Sequence, residues 1–68
     1  MPLNAIENFK FVVLFHIPAL DEQIVNEVEV NTFTYEMAVS EVYGKYVRDR
    51  LRELDKKGLR AFARVQSA

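Results

Sequence analysis

A chain of 68 residues with half its side chains apolar, 28% charged and no cysteine has room for one hydrophobic core and no disulfide or thiolate metal site to reinforce it. The composition is globular rather than disordered, and a formal net charge of −1 lacks the broadly basic balance of small nucleic-acid binders. That total hides a division: residues 1–44 carry one basic and seven acidic side chains, a net of −6, whereas residues 45–68 carry eight basic and three acidic, a net of +5. Such a split fits an internal clasp, a self-association surface or a basic face for nucleic acid.

Residues 1–8 read as an N-terminal arm in which Leu3 and Ile6 are available to cover an open edge of the core. This segment has no basic stretch of the kind that opens a secretory signal. The longest apolar run, Phe11 to Phe15, is far short of the ~20 residues of a membrane span. The expectation is a soluble, cytoplasmic chain that does not enter a membrane.

Phe9 to Ile17 is rich in β-branched and aromatic residues and fits no helical period,. Read at period two, Phe9, Phe11, Val13, Phe15 and Ile17 form one wholly apolar face. Lys10, Val12, Leu14 and His16 form a second face, apolar only in its middle,. Such a strand calls for cover on both sides. Pro18 ends it by removing a backbone donor and restraining the residue before it, and residues 19–23 connect onward.

A second strand is expected from Ile24 to Phe33, with Ile24, Val28 and Val30 inward and Glu27, Glu29 and Asn31 outward,. Asn26 interrupts the inner face and Val25 the outer. Leu20, Ile24, Val25 and Val28 also fit a short helix, and the β-branched content favours strand.

Thr34 is placed to cap a helix, with Glu36 in its first turn and Phe33 in position to staple onto Ala38,. Apolar residues then recur at helical spacing as far as Leu54. Gly58 falls where a C-terminal capping glycine belongs. The apolar stripe drifts: Tyr35, Val39, Val42 and Tyr46 share one face, and Tyr43, Val47, Leu51 and Leu54 lie about 100° round from it. Gly44 falls between the two sets and marks a bend or a close backbone contact; more simply, the first half of the helix meets the sheet and the second half meets something else. Of the tyrosines, Tyr46 is assigned to the core and Tyr43 is left open.

Leu59 to Val65 closes the chain as a third strand, with Leu59, Ala61, Ala63 and Val65 inward and Arg60, Phe62 and Arg64 outward,. Residues 66–68 form a tail. A short connection pairs the first two strands as a hairpin, and a crossover through the helix returns the third beside the first. The expected fold is therefore α+β: a single ββαβ domain over residues 9–65, with a three-stranded antiparallel sheet of order 2-1-3 and one long helix on one face.

The run from Glu27 to Ala38, a strand passing through a capping threonine into a helix, resembles the strand-to-helix passage of small ββαβ proteins. Compact phage-encoded inhibitors that bind host RNA polymerase are among these. The resemblance covers about a dozen residues and implies the architecture. It carries no functional residue across.

Catalytic, metal-binding and cofactor-binding residues are assigned to none. The one histidine, His16, has too few companions for a metal site, and Ser40 and Ser67 have no activating base in view. The helix covers the Phe face of the first strand, which leaves Val12, Leu14 and Phe62 uncovered among His16, Arg60 and Arg64 unless the N-terminal arm folds over them. An apolar centre with a charged rim is the anatomy of a protein interface. Val12, Leu14, His16, Arg60, Phe62 and Arg64 are accordingly the candidate partner-binding residues. The leading expectation is a non-enzymatic module, of accessory or inhibitory viral type, that binds a partner protein or itself as a homodimer. The second is nucleic-acid binding, through a basic helix stripe of Lys45, Arg48, Arg52 and Lys56 or through Arg60, Phe62 and Arg64. Against the helix stripe stand Glu41, Asp49, Glu53 and Asp55, spaced to neutralise it as a solvated face.

Overall fold

The computed structural model describes residues 5–68. Its elements are strand β1 (Glu7–Ile17), a single 3-10 turn at Pro18–Leu20, strand β2 (Glu22–Thr32), a long helix and strand β3 (Phe62–Ser67). The sheet order is β2-β1-β3, with both outer strands antiparallel to β1. The expected ββαβ architecture is therefore present.

The hairpin turns in four residues. Pro18 opens the 3-10 turn, and Asp21 closes it in the left-handed region (φ 51°, ψ 42°), its N–H bonded to the Pro18 carbonyl at 3.1 Å. Aspartate tolerates that conformation better than most residues. Ile17 then faces Glu22, and the ladder runs without interruption to Glu7 opposite Thr32. The helical alternative for residues 20–28 is not adopted: burial alternates residue by residue from Ile24, with Val28 and Val30 toward the helix.

The long helix has three parts: α1 (Tyr35–Glu41), a π-helical turn (Val42–Val47) and α2 (Arg48–Lys56). At its start the Thr34 hydroxyl accepts from the Met37 N–H at 3.1 Å, as the sequence suggests,. Phe33, expected to staple onto Ala38, is exposed. At its end Gly58 adopts φ +75°. Its N–H reaches the Asp55 carbonyl at 2.9 Å, and the Leu59 N–H reaches Leu54 at 2.9 Å, the paired bonds of a Schellman cap.

The π turn explains the drifting stripe. Val42 and Val47 are both buried, at 1% and 5% exposure, although five residues separate them and an α-helix would set them on different faces. A π turn closes i to i+5, which amounts to one inserted residue. The Arg48 N–H accordingly points at the Tyr43 carbonyl. The added residue rotates α2 back, so Val47, Leu51 and Leu54 follow Ala38 and Val42 toward the core. Gly44 lies within this turn and is exposed, with nothing within 4 Å of where a Cβ would stand. It marks the irregularity without making a close contact.

The core lies between helix and sheet. Phe11, Val13 and Phe15 of β1 and Val30 of β2 meet Ala38, Val42 and Val47 of the helix. Tyr35 packs its ring near Phe9 and Phe11, and its hydroxyl shares a 2.6 Å hydrogen bond with that of Ser67. Tyr46 lies beside Phe15, with ring centroids 6.2 Å apart, whereas Tyr43 is exposed.

Boundaries differ from the sequence reading at both ends. β1 begins at Glu7, inside the expected arm, because Asn8 pairs with Asn31 and its amide donates to the Asn31 side chain at 2.9 Å. β3 runs from Phe62 to Ser67, later than the expected Leu59–Val65 and into the expected tail. The Schellman cap holds Leu59, and residues 59–61 are needed to cross from the helix end to the sheet. Ala63 and Val65 pack on the core as foreseen. Leu3 lies outside the described residues, and Ile6 is 66% exposed.

Candidate interaction face

Register sets the composition of the sheet face opposite the helix. Side chains alternate along each strand, so β1 presents Asn8, Lys10, Val12, Leu14 and His16. Reading along the cross-strand pairs, Val12 lies between Glu27 and Gln66, Leu14 between Val25 and Arg64, and His16 between Gln23 and Phe62. Lys10 faces Glu29, with 3.9 Å between ammonium and carboxylate.

Four apolar side chains form the centre. Val12 and Leu14 are half-buried by neighbouring strands, whereas Val25 and Phe62 on the flanks are 59% and 58% exposed. No other element among the described residues lies over them. His16 is half-buried, and its Nδ1 has no hydrogen-bond partner. Of the six candidate partner-binding residues, five (Val12, Leu14, His16, Phe62 and Arg64) share this face.

Arg60 does not. It precedes β3 and lines a shallow concavity with Arg48, Leu51, Arg52, Asp55, Leu59 and Ala61. The reason is the later start of β3, which leaves Arg60 in the crossing segment beside the end of the helix. Val25, in contrast, belongs to the face, although along its own strand it only breaks the outer polar pattern. The signal for it was positional, since antiparallel pairing sets it opposite Leu14.

Charge is distributed unevenly across the face. The 2-1-3 order sends the acidic and basic halves of the chain to opposite sheet edges, with Glu27 and Glu29 on β2 and Arg64 on β3. Lys10 engages Glu29, whereas Glu27 and Arg64 have no oppositely charged group within 4 Å among the described residues. The candidate nucleic-acid residues lie on the helix. Lys45 pairs with Glu41 at 3.8 Å, and Arg48 with its neighbour Asp49 at 3.8 Å. Arg50 pairs with Glu53 at 3.6 Å. Arg52 and Lys56 have no carboxylate within 4 Å among the described residues. Of the i,i+3 and i,i+4 pairs that the spacing of these acids suggests, Glu41–Lys45 closes within 4 Å among the described residues, and Lys45–Asp49, Asp49–Arg52, Arg52–Asp55 and Glu53–Lys57 do not.

The molecule is extended for its size. Its radius of gyration is 14.0 Å and its extents are 52 × 20 × 12 Å, whereas a compact chain of this length has a radius near 11 Å, roughly. The accessible surface is 5207 Å², against about 4,400 Å² for a compact monomer of this mass. The greater surface accompanies the elongated shape. No helix among the described residues is long and apolar enough to cross a membrane.

Searches against protein-family models, curated proteins and solved structures find no match to this chain.

Proposed function

We propose that the protein is a small non-enzymatic interaction module, of accessory or inhibitory type, that binds a protein partner through the open face of its sheet. The observation that carries this reading is the uncovered group of Val12, Leu14, Val25 and Phe62, bounded by Lys10, Gln23, Glu27, Glu29, Arg64 and Gln66. Val25 and Phe62 are 59% and 58% exposed, so covering them supplies roughly half of the 1.5–3 kcal/mol that burying each fully would give, still a sizeable contribution for a domain of marginal stability. A cytoplasmic setting fits a chain without cysteine.

Leu14→Glu tests the reading, because it places a carboxylate at the centre of the patch and leaves the helix face untouched. Circular dichroism and thermal melting establish that the variant is folded. The expected result is loss of the protein, be it a second copy or another chain, that the parent retains in sedimentation or affinity capture. A folded Leu14→Glu variant that keeps every partner of the parent overturns the proposal.

A second reading has its own observation. Arg48, Arg52 and Arg60 surround one concavity that contains a single carboxylate, Asp55, an arrangement suited to phosphate. Titration with labelled single- and double-stranded oligonucleotides at low salt decides it: binding weakened by Arg52→Ala supports nucleic-acid recognition, and no binding even at low salt excludes it.

A further inference from the structure

We propose that the occupant of the open face is a second copy of this chain, packed sheet on sheet about a two-fold axis running close to β1. This rests on the protein-binding reading of the face and narrows it to one partner.

Charge selects the partner and the axis. A closed dimer is self-complementary, so every patch must meet either itself or its counterpart. A two-fold in the interface perpendicular to the strands lays β2 over β2, which sets Glu27 and Glu29 against the same acids and Arg64 against Arg64. A two-fold along β1 instead lays the acidic β2 of one copy over the basic β3 of the other. Val12 and Leu14 then meet their own copies at the centre. On each flank, one two-residue step along the strand, ~7 Å, relates Arg64 to Glu27 of the second copy. The same step relates Phe62 to Val25 of the second copy. At one level along β1 the two-fold sets Arg64 over Val25 and Gln66 over Glu27 of the second copy, so the two unpaired charges of the face meet diagonally, as do Phe62 and Val25.

Pairing through the β2 edge is less favourable. Two β2 edges meeting antiparallel bring their glutamates together, and a β2 edge on a β3 edge gives a head-to-tail contact that does not close. Face-to-face packing at the usual ~10 Å sheet separation avoids both.

The test is sedimentation of the full chain with a complementary pair of variants. The parent is expected to run at twice 7.9 kDa at concentrations on the order of 10 µM. Glu27→Arg alone and Arg64→Glu alone each weaken the dimer by roughly tenfold or more, both remaining folded by circular dichroism. An equimolar mixture of the two variants restores the dimer, because each supplies the charge the other has lost; a change confined to one chain would not be rescued by mixing. The proposal is overturned by a parent that stays monomeric to about 1 mM, by single variants that dimerise as the parent does, or by a mixture that remains monomeric. A monomeric parent whose captured protein partner is still lost on Leu14→Glu refutes self-pairing alone. A Leu14→Glu variant that behaves as the parent in both measurements refutes the protein-binding reading itself.

Discussion

The two faces of β1 are built from the same strand and differ in what they meet. Phe11, Val13, Phe15 and Ile17 are 0–1% exposed beneath the helix. On the reverse, Val12 and Leu14 are half-buried, and their flanking neighbours Val25 and Phe62 stand more than half exposed. Alternation alone would make such a reverse face polar. The helix supplies one covering layer, and the apolar residues of the chain are distributed for two. The difference separates residues that hold the fold from residues available for contact.

Replacing an aromatic ring on each side gives the strongest test of that separation. Phe15→Ala leaves a cavity against Tyr46 and the helix and is expected to cost about 3–5 kcal/mol, enough to unfold much of the population in a chemical-denaturation experiment. Phe62→Ala is expected to change the stability of the isolated monomer by less than about 1 kcal/mol while weakening association through the open face. Comparable losses of monomer stability at both sites would break the comparison.

The π turn governs how far the covered face extends. Inserting one alanine after Gly44 turns α2 a further 100° or so away from the sheet and removes Val47 and Leu54 from the core, an expected loss of roughly 2–4 kcal/mol. Deleting Gly44 restores four-residue spacing between the two buried valines. The chain should then form a continuous α-helix with stability within about 1 kcal/mol of the parent. Thermal melts followed by circular dichroism compare the two directly, and equal damage from insertion and deletion would contradict the role assigned to the extra residue.

The smallest effect concerns the rim. Lys10→Ala removes an exposed ion pair with Glu29, so monomer stability in urea should shift by less than about 0.5 kcal/mol. A larger shift would mean that the rim, and not only the helix face, supports the fold.

Much of this architecture was legible in the residues because local chemistry and hydrophobic pattern agree. Thr34 and Gly58 bracket the helix, Pro18 ends β1, and the two-sided apolarity of Phe9 to Ile17 assigns it the central position. Three features were less accessible. The stripe drift at Gly44 was visible, but a rotated helix face can be met by a second partner or by an added backbone residue, and side-chain pattern does not distinguish them. The ends of β3 escaped because an alternation of period two looks the same when the strand begins a few residues later. This placed Arg60 on the sheet when it belongs beside the helix end. Val25 was overlooked as part of the patch because its role depends on the residue opposite it in another strand.

The 2-1-3 order also sets a sequence of events. The β1–β2 hairpin closes through four residues, whereas pairing Phe62 with His16 must close a loop of about 45 residues, at a correspondingly greater entropic cost. β3 is expected to dock after the hairpin has formed, bringing Phe62 and Arg64, one flank of the open face. A chain that has formed only the hairpin lacks the completed surface, so the proposed contact would depend on β3 being in place.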